Sequence, residues 1–160
     1  MVTLWDKAQH IKINNNKKKV GNFDIGFDKE IPEKFRNRMR NVIVWLENNY
    51  NFPITIWVDF EYKNYLISRE KRRVGYLFHW FDFKHYPDFT DNDEIPDIRL
   101  PVKGWEEGTH FEEILISFFT AITYYFCWLL NEDVINYKAN DEEVDFLVDK
   151  YLEYEKAQNQ

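Results

Sequence analysis

Four histidines, one cysteine and a file of polar side chains inside an apolar segment are the residues whose types could do chemistry here. Two imidazoles chelate one metal ion when they are two apart on a strand or four apart on a helix face. His10, His79, His85 and His110 form no such pair, and His79 and His85 are too far apart to grip one ion from a regular strand. Asp82 and Asp88 would complete a site with those two histidines only if the intervening loop folded back, so surface or hydrogen-bonded histidine is the simpler reading. Ser117 has no triad companion nearby in the chain, and five glycines leave no room for a phosphate-binding loop. Cys127 is the only cysteine, which excludes an internal disulfide; its apolar neighbours point to a buried thiol and its isolation to a reducing, cytoplasmic setting. Thr120, Tyr124, Cys127 and Asn131 recur at helical spacing, and their polar atoms need partners. They form either a satisfied polar seam or the lining of a small pocket that binds a peptide segment or other ligand without cutting it.

These side chains lie in Phe111 to Asn131, FEEILISFFTAITYYFCWLLN, where no residue from Ile114 to Leu130 is charged. A helix of that kind is apolar on nearly every side and belongs at the centre of a fold. Thr109 with Glu112 fits a capping box at its start. The uncharged run has the minimum length for a membrane span, but Thr120, Thr123, Ser117 and the paired Tyr124 and Tyr125 dilute it, so a buried helix is expected. The first 19 residues lack the apolar run of an export signal and read as a polar arm.

The segment TAITYYFCWLLN is similar to the His-Glu-x-x-His-Tyr-Phe-Gln-Trp-hydrophobic-Asn pattern of small zincin-like predicted peptidases of bacteria and their phages. Laid on that pattern, Thr120 and Tyr124 stand where the two histidine ligands would be and Ala121 where the glutamate would be; Tyr125, Phe126 and Trp128 match the flanking residues. The earlier stretch FDIGFDKEIPEKFRNRMRNVIVWLENNYNFPITIWV also resembles the family's opening strand, first helix and second strand. The family's third ligand comes from the head of the next helix, where Asp141 falls nearest, with Glu142 and Glu143 beside it. The resemblance therefore implies a zincin-like domain with a degenerate motif. Without both imidazoles and the catalytic carboxylate it holds no zinc, needs no cofactor and cuts nothing. It would persist as a binding module for a protein or peptide partner. One alternative is a metal-dependent hydrolase with ligands relocated to His79, His85 or the acids at 141–143. Another is an acidic inhibitor or decoy that presents residues 132–155 to a basic partner.

Charge supports that last alternative. The net charge is −7, with nine acids and two lysines between 132 and 155, whereas the first 20 residues carry five lysines and one acid. Nucleic-acid binding is disfavoured, and the basic clusters RNRMR and REKRR read most simply as a solvated helix face and a charged turn.

One domain suits 160 residues, 44% of them hydrophobic and 19% aromatic. Residues 1–19 are assigned to the arm and 20–157 to a single α+β domain. Asn22 to Phe27 alternates as a strand; Pro32 opens a helix whose Phe35, Met39, Val42, Leu46 and Tyr50 share a face. Ile54–Phe60, Tyr62–Ser68 and Val74–Phe83 follow as an expected antiparallel meander, then a loop over Tyr86–Glu94 and an edge strand over Ile95–Leu100. Asn140 with Glu143 caps the last helix. The expected order is β-α-β-β-β-(β)-α-α, an antiparallel-rich sheet on a central apolar helix.

Overall fold

The structure, a computed structural model, describes residues 3–10, 23–79, 96–104, 110–130 and 132–160. The loop Tyr86–Glu94, His85, Asp82, Asp88, Thr109 and Asn131 lie outside the described residues. The element order is α1 (Leu4–Ala8), β1 (Phe23–Phe27), α2 (Glu33–Asn49), β2 (Ile56–Glu61), β3 (Leu66–Ile67), β4 (Arg73–Val74), β5 (Leu77–His79), β6 (Asp97–Pro101), α3 (His110–Leu129) and α4 (Asp141–Gln158). Helices and a mixed sheet share one core, as an α+β reading requires.

The uncharged run does form the central helix. Ile114, Phe118, Ile122 and Phe126 of α3 are all buried. One side packs on Ile56, Val58 and Phe60 of β2 and on Ile98 and Leu100 of β6, within the same buried cluster. The other side meets α2 through Phe35–Phe111 and Trp45–Phe119 ring contacts, and α4 packs beside it. No helix among the described residues is long and apolar enough to cross a membrane.

The sheet departs from the expected meander. Its order is β1-β2-β6-β5, with β1, β2 and β6 parallel and only β5 antiparallel. Helix α2 crosses over between β1 and β2, and such a connection returns the chain in the same direction. The segment near Ile95–Leu100 is therefore not an edge: β6 is hydrogen-bonded on both sides, with β2 and β5 as neighbours. Pro96 precedes the strand and Pro101 ends it, positions where a missing amide is tolerated even in an interior strand. Of Tyr62–Ser68 only Leu66–Ile67 is a strand, and it pairs with β4 in a separate two-stranded ribbon. The charged stretch between them is a turn, closed by Ser68 N–H donating to the Arg72 carbonyl at 2.8 Å.

The N-terminal arm, expected to be partly ordered, holds a short helix among its described residues. Thr3 and Asp6 form a reciprocal capping box, α1 follows, and Trp5 and Ala8 are buried. The Trp5 indole N–H donates to Thr123 Oγ1 of α3 at 2.9 Å, inside a ring of edge contacts to Tyr50, Phe119 and Phe126. One large indole with a satisfied N–H outweighs the polar residues around it. Removing it should show in urea unfolding: Trp5→Ala is expected to cost about 3–5 kcal/mol. Thr123→Val keeps the shape but leaves the indole donor unpaired, and should cost about 1–3 kcal/mol.

Candidate functional site

Beyond Ser117, the residues of α3 that are not buried are Thr120 and Tyr124, so the helix shows one narrow stripe. The link from β4 to β5 runs across that stripe. Gly75 permits the close approach, since a β-carbon there would stand 3.2 Å from Ser117 Oγ. Two cavities open on either side of Gly75. One, of about 480 Å³, reaches Tyr62, Lys103, His110 and Ser117. The other, of about 370 Å³, lies among Tyr76, Leu77, Phe78, Tyr124 and Val134.

The second is mostly apolar, with the phenols of Tyr76 and Tyr124 as its polar groups. Tyr76 and Tyr124 stack with ring centroids 6.2 Å apart, and Tyr137 meets Tyr124 edge-on at 5.7 Å. Tyr124 donates its hydroxyl proton to the Tyr137 carbonyl at 3.2 Å. Burial first, then the neighbouring Tyr124 and the Asp141 carboxylate, push the Tyr76 phenol well above its ordinary range. Burial also raises Tyr137, with Glu143 adding to the effect. Both phenols therefore stay protonated at neutral pH. Tyr76 is hydrogen-bonded to Tyr124, and neither raised phenol supplies an anionic ligand atom for a metal or a base.

The side chains picked out from sequence divide. Tyr124 lines the groove, Thr120 sits one turn before it on the same stripe, and the charge of Asp141 at the head of α4 adds to the rise of the Tyr76 pKa. The Thr120 hydroxyl is committed to its own helix, donating to the Ile116 carbonyl at 2.7 Å. Ala121 and Cys127 are fully buried and line no cleft. The polar stripe is thus open only as far as Tyr124; Cys127, nearly one turn on and close to the same face, is covered by the rest of the fold. Burial, then Glu132 and Asp133, push the Cys127 thiol up to about 12. Glu143 is directed to Thr3 of the N-terminal cap, and its carboxyl is raised mainly by burial.

His79 pairs across the sheet with Asp97, and His110 lies 3.2 Å from Glu113. No group of three or more His, Cys, Asp or Glu among the described residues is placed to hold a metal ion. Tyr76, Tyr137 and Gly75 were missed from sequence. Gly75 inside a strand pattern carried a signal, since such a glycine often marks close backbone approach. No protein-family model, curated protein or solved structure matches the chain.

With its thiol titrating near 12, Cys127 should be inert in the folded chain. A chromogenic disulfide reagent at pH 8 is expected to label it only in denaturant, at a rate about a hundredfold or more above that in native buffer. Rapid native labelling would place Cys127 in the cleft after all.

Proposed function

We propose that this is a zincin-like domain in which the catalytic ligands have been replaced, retained as a module that binds a protein or peptide segment without hydrolysing it. The observation that carries the reading is convergence at Tyr76. Tyr124 and Asp141 come from different helices, and the family pattern assigns a ligand position to each; Tyr124 stacks on the Tyr76 ring, and the Asp141 charge adds to the rise of its phenol pKa. Thr120, the remaining ligand position, lies on the same helix stripe. The side chains at these positions are a hydroxyl, a phenol and a carboxylate rather than two imidazoles and a carboxylate. A hydroxyl and a protonated phenol are poor zinc ligands. Ala121 supplies no carboxylate to take a proton from water.

Binding without cutting has its own support. Among the described residues β5 ends the four-stranded sheet order beside the groove, so an extended segment laid along that strand would place one of its side chains in the cavity between Tyr76, Phe78 and Tyr124.

The ancestry is tested by restoring the ligands. The combined change Thr120→His, Ala121→Glu, Tyr124→His and Asp141→Glu should create a zinc site in which both imidazoles and the new carboxylate face one point. Calorimetry is expected to detect one zinc per chain, and zinc at about 100 times its dissociation constant should stabilise the variant by about 2.7 kcal/mol. A well-folded variant that takes up no more zinc than the parent would overturn the reading.

A further inference from the structure

The parallel strands β2 and β6 end at one rim of the sheet, and the chain that follows each is tied to the other. Val102 N–H donates to the Glu61 carbonyl at 2.9 Å and Lys103 N–H to the Lys63 carbonyl at 3.1 Å, so both lysines border one cavity. The carboxyl ends of parallel strands are where open sheets take ligands, because side chains from successive loops converge there. Two hollows meet at this rim. The cavity of about 480 Å³ that reaches His110 and Ser117 is continued past Tyr62, Asn64 and Lys103 by one of about 530 Å³, which extends to Tyr65, Ile67 and Arg99. The rim lies across Gly75 from the Tyr124 groove and does not depend on the reading of that groove.

Two tyrosines give the rim flat apolar surface, and each ring carries a cation. Lys103 Nζ stands 5.5 Å from the Tyr62 ring centroid, and the Arg73 guanidinium 4.4 Å from that of Tyr65. Tyr65 is 40% exposed, and Ile67, paired with Arg73 across the β3–β4 ribbon, is 51% exposed. The ribbon turn then adds Lys71 and Arg72, with Glu70 as its acid. The other acids close by are committed: Arg99 and Lys63 hold Glu61 at 2.9 and 3.0 Å, and Asp28 accepts from the Tyr62 amide at 2.9 Å. Among the described residues Lys71, Arg72, Arg73 and Lys103 form no ion pair. A net charge of −7 disfavours nucleic acid for the chain as a whole. The field at one rim is set by charges within about a Debye length, roughly 10 Å at about 0.1 M salt, and here cations prevail.

We propose that this rim binds single-stranded nucleic acid, with bases laid against Tyr62 and Tyr65 and the intervening phosphates held by Lys63, Lys103 and Arg73. The chemistry selects that ligand. A single strand alternates planar bases with anionic phosphates, and the rim alternates rings with cations. An unstacked base packs equally on an aromatic ring or on an arginine plane, so the Arg73 guanidinium over Tyr65 extends the platform. An acidic peptide matches the charge and leaves the rings unused. A duplex keeps its base faces inside its own stack and offers the rim phosphates alone.

The test is fluorescence anisotropy of a labelled oligothymidylate, about eight nucleotides long to suit a short site, titrated with the full chain. Oligouridylate, a hairpin DNA duplex and oligoglutamate carrying the same label are compared. Saturable binding of either single strand is expected, about fivefold or more tighter than that of the duplex or the oligoglutamate. Its logarithm should fall with log salt at a slope of about −2, as about three phosphates give on a single strand. Tyr65→Leu should weaken binding about tenfold by removing a stacking ring. The pair Arg73→Gln, Lys103→Gln should also weaken it about tenfold, whereas Lys150→Gln, Lys156→Gln on the exposed side of α4, which removes the same charge, should change it less than about twofold. Should the Arg73 change unfold the ribbon, Lys103→Gln alone decides, with about a threefold loss expected. Equal weakening by the two pairs, or oligoglutamate or duplex bound as tightly as the strands, would reduce the effect to charge and overturn the proposal. So would a failure to saturate below about 100 μM, the weak end of non-specific binding.

Discussion

The constraint on which the rest of the structure depends is the burial of α3. From Ile114 to Leu130 the helix has no charged residue, so every face must be covered by something apolar except where a polar stripe permits exposure. The sheet covers one side, α2 and α4 the other, and α1 closes the gap above Thr123. Arg38 ties the two covering helices together: it donates to both Glu155 oxygens at 2.9 and 2.8 Å while its guanidinium lies 3.7 Å over the Phe111 ring. What remains open is the stripe through Ser117, Thr120 and Tyr124, and that is where the cavities lie. The groove is thus a consequence of how the core helix is covered.

The long helices were legible because each announces itself locally. Phe35, Met39, Val42 and Leu46 mark the buried face of α2, and Asn140 caps α4 by accepting from the amides of Glu142 and Glu143. Strand order was not legible. Ile98 and Leu100 look alike whether β6 is an edge or an interior strand, since alternation reports which face is buried and carries no information about neighbours. α1 was hidden by its flanks: asparagines and lysines follow it, although Thr3 with Asp6 and the spacing of Trp5 to Ala8 were a helix signal of a single turn. Of the site, Tyr124 and Asp141 were found through a family pattern, while Tyr76 and Tyr137 come from segments whose approach only the tertiary fold determines. Cys127 was misplaced because a polar file at helical spacing does not reveal where the cover begins.

The two faces of the sheet separate two kinds of electrostatics. Beneath it, burial and nearby acids hold phenols protonated, so the groove carries no phenolate charge. On the outer face the ionisation of neighbouring carboxyls is split. The hydrogen bonds from Arg99, reinforced by Lys63, hold Glu61 below the ordinary carboxylate range, while burial and the neighbouring acids hold Asp59 above it. Glu61 therefore stabilises the fold at neutral pH and loses that contribution as pH falls through its depressed pKa. Asp59 does the reverse: its charged form is unfavourable at neutral pH, and the penalty is relieved as pH falls through its raised pKa.

The proposed function requires that the Thr120 hydroxyl and the Tyr124 phenol bind no zinc. Elemental mass spectrometry of the unchanged chain, purified without chelators and then equilibrated with micromolar zinc, tests it directly. The predicted result is less than about a tenth of a zinc per chain, unaltered by Tyr124→Phe or Asp141→Asn. A value near one zinc per chain, lost in either variant, would contradict it.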